Sequence, residues 1–166
     1  MGGALYSALN GEGINLVYDS SAKYATYNAT TNTLTLKDLS NYHTLAHEMI
    51  HAYQDRNVSE SYRKNNVANL EVEAYMAKYM LQVRENSGVK GTSESELIQK
   101  IIDLEELLDG NCNILEDKRT DFYETYDQTI DAYRERHKQE LGSYPTFSKN
   151  EEDMNFDRLK ELSKDC

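Results

Sequence analysis

"AHEMIHAYQ", residues 46–54, places two histidines four apart with a glutamate directly after the first. On an α-helix, positions i and i+4 stack one turn apart on the same side, so His47 and His51 can converge on one ion. Glu48 is rotated by about 100° from His47, which sets it beside such an ion rather than on it, within reach of a bound water. The flanking residues support the helix. From Tyr42 to about Arg56, the side chains of Leu45, Ala46, Met49, Ile50, Ala52 and Tyr53 form one broad apolar face. Asp38, Ser40 and Asn41 offer N-caps just before it. HExxH is thus a zinc-ligand spacing with a mechanical reason behind it, although so short a pattern also arises by chance on solvated helices.

What surrounds the motif reads as one α+β domain, mostly helical, over residues 1–166. "INLVYD" (14–19) and "TLTLKD" (33–38) are β-prone runs, with the polar turn cluster "NATTN" (28–32) between them. "KYATYNATTNTLTL" predicts a hairpin, hence a small N-terminal antiparallel sheet packed on the histidine helix, with an outer edge of the 33–37 strand free for pairing. A second helix is expected over about 66–85, with Val67, Leu70, Ala74, Ala77 and Leu81 as its tightest apolar stripe. Further helices are expected at about 94–109, 114–140 ending at Gly142, and 151–163, where "DRLKELSKD" reads as a solvated face. Met76, Met80 and Leu81 read as core.

Composition narrows the function. A chain of 166 residues with 39% apolar and 28% charged residues can bury one modest core. Its net charge of −11 argues against nucleic acid and against anionic membranes. No apolar run approaches the roughly 20 residues that span a bilayer. "MGGALYSALNGEG" has no basic start and no long apolar stretch, so it is no intact signal peptide; its opening suits a piece of a longer, secreted or periplasmic precursor. Cys112 and Cys166 are read either as one disulfide or as two free thiols. Asn28-Ala-Thr30 and Asn57-Val-Ser59 match a glycosylation pattern too short to carry weight.

A catalytic zinc needs three protein ligands and one open position. His51 is followed by Gln54 and Asn57, where an extended HExxHxxGxxH pattern needs Gly and His, so a downstream glutamate must serve. "NLEVEAY" (69–75) offers Glu71 and Glu73. On a helical wheel Glu73 falls inside a wide apolar arc and would need a buried partner, a metal being one; Glu71 lies at the arc's edge beside the small Ala74 and is favoured. His43 extends the histidine stripe by one turn and reads as an exposed first-turn residue.

"HEMIHAYQ…EVEAY" resembles the gluzincin metallopeptidases, zincin-like enzymes in which a glutamate from the next long helix completes the site, and also small bacterial peptidase domains attached to polymorphic toxins. The resemblance covers residues 14–85; the helical part 90–166 matches nothing. It implies Zn2+ on His47, His51 and Glu71, a peptide or protein substrate, and Glu48 as the base that takes a proton from the attacking water. Such enzymes also need an oxyanion donor, for which Tyr133 and His137 in "AYRERHKQ" are candidates among 13 tyrosines. One departure stands out: many gluzincins place an aspartate four residues after the ligand glutamate to hold a histidine, and this chain has Tyr75 there. Asp55 or a backbone carbonyl is the expected substitute. The other functional readings are a zinc-bound module that no longer cleaves, and the effector domain of a larger secreted toxin.

Overall fold

A computed structural model describes residues 13–38, 40–84 and 96–162. Three short strands come first: β1 (Asn15–Tyr18), β2 (Thr26–Asn28) and β3 (Thr33–Leu36). β2 and β3 form the expected antiparallel hairpin. Its turn closes through the Asn28 side chain, which accepts from the Thr31 N–H at 3.1 Å. Asn32 takes the left-handed conformation (φ 47°) that asparagine tolerates better than most residues.

The sheet as a whole is mixed. β1 lies parallel to β3, in the order β1-β3-β2. The 33–37 segment is therefore central, and the expectation of a free edge there is overturned; the open edges belong to β1 and β2. β3 alternates, burying Leu34 and Leu36, while β1 is exposed throughout.

Helices make up most of the rest: α1 (Tyr42–Asn57), α2 (Glu60–Asn65), α3 (Val67–Arg84), α4 (Glu96–Glu105), α5 (Arg119–Leu141, after a 3-10 turn at Glu116–Lys118) and α6 (Asp157–Leu162). Of the three candidate caps for α1, Asn41 is used: its side chain accepts from the Thr44 N–H at 3.1 Å. α2 was not expected from the sequence; Ser59 caps it by accepting from the Tyr62 N–H. α5 stops where expected, at Gly142 (φ 77°), whose N–H donates to the Lys138 carbonyl.

α3 is the spine. It packs against α1 on one side and against α4 and α5 on the others. Its burial is wider than one stripe: Ala68, Val72, Ala74, Met76 and Ala77 have no exposed surface, and neither do Asn69 and Glu73. The segment after α5 returns across the start of α3. The Ala68 N–H donates to the Thr146 carbonyl, and the Asn69 side chain bonds the backbone of Ser148 and Asp153. Met154, Phe156 and Leu159 then close the core, Phe156 meeting Phe122 edge-on at 6.0 Å. "DRLKELSKD" is thus only partly solvated, since Leu159 is fully buried. Cys112 is disulfide-bonded; Cys166 lies outside the described residues, as does "MGGALYSALNGE". No described helix is long and apolar enough to cross a membrane.

Candidate metal centre

α1 and α3 run past each other so that His47, His51 and Glu71 converge. The two Nε2 atoms lie 3.1 Å apart, and they stand 3.5 Å (His47) and 3.3 Å (His51) from the Glu71 carboxylate oxygens. These spacings carry information. Three donors about 2.05 Å from a tetrahedral zinc must lie about 3.3 Å from one another. The observed separations, one Glu71 oxygen toward each histidine, are of that size, and the three side chains are 12%, 20% and 24% exposed. Among the described residues this is the one group of three or more such side chains placed to hold a metal.

Hydrogen bonds fix how His51 faces the cluster. Gln54 Nε2 donates to the Leu70 carbonyl at 3.0 Å and to Glu73 Oε2 at 2.9 Å, using both of its protons. Its Oε1 is therefore the acceptor, and His51 Nδ1, 2.9 Å away, must be the donor. That leaves the Nε2 lone pair of a neutral His51 aimed at the cluster centre. Without a metal, a proton fills the role: although burial lowers His51's pKa, the Glu71 carboxylate beside it, with help from Glu48 and Gln54, raises it to about 9. His47 is shifted the other way, chiefly by burial, and stays neutral. Burial opposes ionisation of Glu71, yet the two imidazoles hold its carboxyl far below the usual carboxylate range. The site is built around one positive charge, which a divalent ion can supply in place of a proton.

Gln54 thus does for His51 what Asp55 or a carbonyl was expected to do. Asp55 is engaged elsewhere, paired with Arg63. Tyr75 packs edge-on against the His47 ring with centroids 4.8 Å apart. His47 Nδ1 is buried and has no hydrogen-bond partner among the described residues.

The ambiguity between the two glutamates resolves geometrically. Glu73 is buried, as its place on the wheel implied, but its partners are Arg158 and Gln54 rather than a metal. Glu71 is the carboxylate in the cluster. His43 is not part of it.

Beside the cluster opens a cleft of about 660 Å3, walled by residues 24–27 on the sheet side and by Tyr75, Lys78, Tyr133 and Arg136 on the helix side. Glu48 lines it one residue from His47 and is only 7% exposed. Burial pushes its carboxyl up to about 7, against the pull of protonated His51 and the Tyr27 N–H. Such a group exchanges a proton readily near neutrality. Tyr133 and His137 also reach the cleft wall, their rings 5.8 Å apart. They differ in what they present. Burial, reinforced by the Glu71 charge, raises Tyr133's pKa, so it keeps its proton and remains a donor. His137 Nδ1 lies 2.9 Å from the Ser143 carbonyl and must donate there, which leaves a neutral ring only an acceptor at Nε2.

Sequence reasoning missed Gln54, Arg158, Lys78 and Arg136. Only Gln54 left a signal, being a polar residue three positions after a candidate ligand histidine and near the helix's apolar face. Comparison with family models, with curated proteins and with solved structures finds no match to this chain.

Proposed function

We propose that this protein is a zinc metallopeptidase. The observation that supports it most is the convergence of His47, His51 and Glu71 beside an open cleft that Glu48 also lines. A site used only to brace a fold is closed by four ligands and has no need of a neighbouring base. Zinc held there supplies Lewis acidity toward water and toward a carbonyl oxygen. Glu48 takes the proton of the water as its oxygen bonds to the scissile carbonyl carbon, then delivers that proton to the amine as the C–N bond breaks. Tyr133 donates a hydrogen bond to the oxyanion formed between these steps, a role for which His137 has the wrong hydrogen to offer. The open edge of β2 (Thr26–Asn28), whose Thr26 and Tyr27 line the cleft, is where an extended peptide backbone can pair.

Metal analysis and a peptide-library cleavage assay test the reading together. Glu48→Gln should keep stoichiometric zinc and lose turnover, whereas His47→Ala should lose both. Full activity in metal-free protein, or full activity of Glu48→Gln, overturns it.

A further inference from the structure

Resting on the peptidase reading, we infer that one end of the cleft is a carboxylate-recognition subsite, built around Lys78 and Arg136, that selects peptides carrying a negative charge a few residues from the bond cut.

Lys78 follows Glu71 by seven residues on α3, so both lie on the same face, about 10 Å apart at 1.5 Å per residue. Both line the cleft. Half-buried lysines ordinarily find a carboxylate, because an ammonium removed from water needs a counter-charge. Lys78 has none within ion-pairing distance among the described residues, and none of its hydrogen bonds is satisfied by them. The charged groups nearest it are Arg136, of like sign, and Glu48. Arg136 comes from α5, holds Glu140 at 3.1 Å, and lies 6.0 Å from the Tyr75 ring, so two helices aim cations at one place.

Lys37 also lines the cleft. Two of the acidic residues on the lining are engaged: Asp38 accepts from the backbone and hydroxyl of Ser40, and Glu140 pairs with Arg136. Lys78 is thus left half-buried on the cleft wall with no carboxylate in contact among the described residues. An ammonium half-removed from water and facing an open cleft, with a guanidinium nearby, is stabilised when an anion enters beside it.

The spacing sets where that anion sits on a peptide. Ten ångströms is about three residues of extended chain. The carboxylate can be a peptide's own C-terminus or an Asp or Glu side chain, and the chemistry that recognises it is the same.

The two sources are separable by binding to zinc-loaded Glu48→Gln protein, which retains the site without turning over. An eight-residue peptide panel is titrated by calorimetry as C-terminal acid, as C-terminal amide, and as amide with Glu replacing Gln at each position in turn. A carboxylate about three residues from the bond otherwise cut should tighten binding roughly tenfold or more, and added salt should weaken the gain. A gain confined to the acid form identifies the terminus, and one confined to the Glu scan identifies a side chain. Lys78→Met in the same background should remove the difference; Lys78→Arg should keep most of it and serves as the folding control. Equal binding of charged and uncharged peptides, no binding of any, or discrimination that survives Lys78→Met overturns the proposal. Wild-type turnover of the same panel keeps the two readings apart. Charge-selective binding without any cleavage sinks the peptidase and leaves the subsite; cleavage indifferent to charge does the reverse.

Discussion

Arg158→Met is the substitution that most directly probes what holds the metal-site helices in place. Glu73 has no exposed surface, and its Oε2 is shared by Arg158 and by Gln54. Among the described residues Arg158 is the cation paired with this carboxylate, so Glu73 depends on the guanidinium for its charge balance. Removing one member of a buried ion pair costs about 3–5 kcal/mol, because the other is left charged in a low dielectric. The penalty has a ceiling, since Glu73 can take up a proton at about 1.4 kcal/mol per pH unit between its pKa and the ambient pH. Burial already raises that pKa even with Arg158 present. The pH dependence follows. A carboxyl whose folded pKa lies above its unfolded value contributes fully below the unfolded value, and the contribution is lost as pH rises through the folded one. The variant's deficit should therefore be large at pH 8 and small at pH 5. For a chain of this length each kcal/mol moves the melting temperature by about 2–4 °C, so metal-free Arg158→Met should melt roughly 10 °C below the parent at pH 8. Glu73→Leu combined with Arg158→Met removes both buried charges and should recover most of the loss. A single variant within about 2 °C of the parent at pH 8, or a double variant as unstable as the single, would refute the argument.

Gln54→Leu removes the acceptor of the His51 Nδ1–H, and zinc affinity measured by chelator competition should fall roughly 10- to 100-fold while the apo fold persists. In metal-free protein, the stability that His51 contributes is complete below its unfolded value of 6.5 and lost as pH rises through about 9, and Glu48's shift to about 7 acts in the same direction. The Glu71 contribution runs the other way, present above 4.5 and lost in acid. Apo melting temperature should thus peak between about pH 4.5 and 6.5, and saturating zinc should flatten the alkaline fall, because the metal takes the proton's place. Tyr133→Phe should lower kcat by about 100-fold or more with little change in KM, as expected for a donor used only after attack begins. Glu71→Ala should lose the metal without rescue from Glu73, as read by metal content after dialysis; retention of one zinc per chain would reassign the third ligand.

The outline of the fold was legible wherever a local period or a cap announces it. α1 follows from its apolar face and Asn41, the hairpin from "NATTN", and the end of α5 from Gly142. What escaped was set by contacts distant in sequence. β1 pairs parallel to β3, and nothing in "INLVYD" specifies a partner or a direction. α2 is six residues long, with no buried side chain and hence no apolar period to detect. Arg158 sits 85 positions from Glu73, inside a run whose charges look solvated. The wheel did recognise that Glu73 would be buried and in need of a partner. It had no means of choosing between a metal and a guanidinium.

The two glutamates of "EVEA" explain why α3 is buried almost all round without being simply apolar. Residues two apart on a helix point about 200° apart, so Glu71 and Glu73 cannot serve one site. One faces the cleft and the other faces the returning C-terminal segment. Between them stands Gln54 of α1, which touches Glu73 with its amide nitrogen and His51 with its oxygen. The charge that Arg158 neutralises at the back of α3 is thereby coupled, through one amide, to the orientation of a ligand at the front. A metal site with an open side tolerates no drift in its three ligands, because no fourth protein group corrects them. Here the C-terminal segment crosses α3, the helix that carries Glu71, from behind, through Thr146, Ser148 and Arg158. The C-terminal helical part thereby braces α3 and, through Gln54, the short histidine motif.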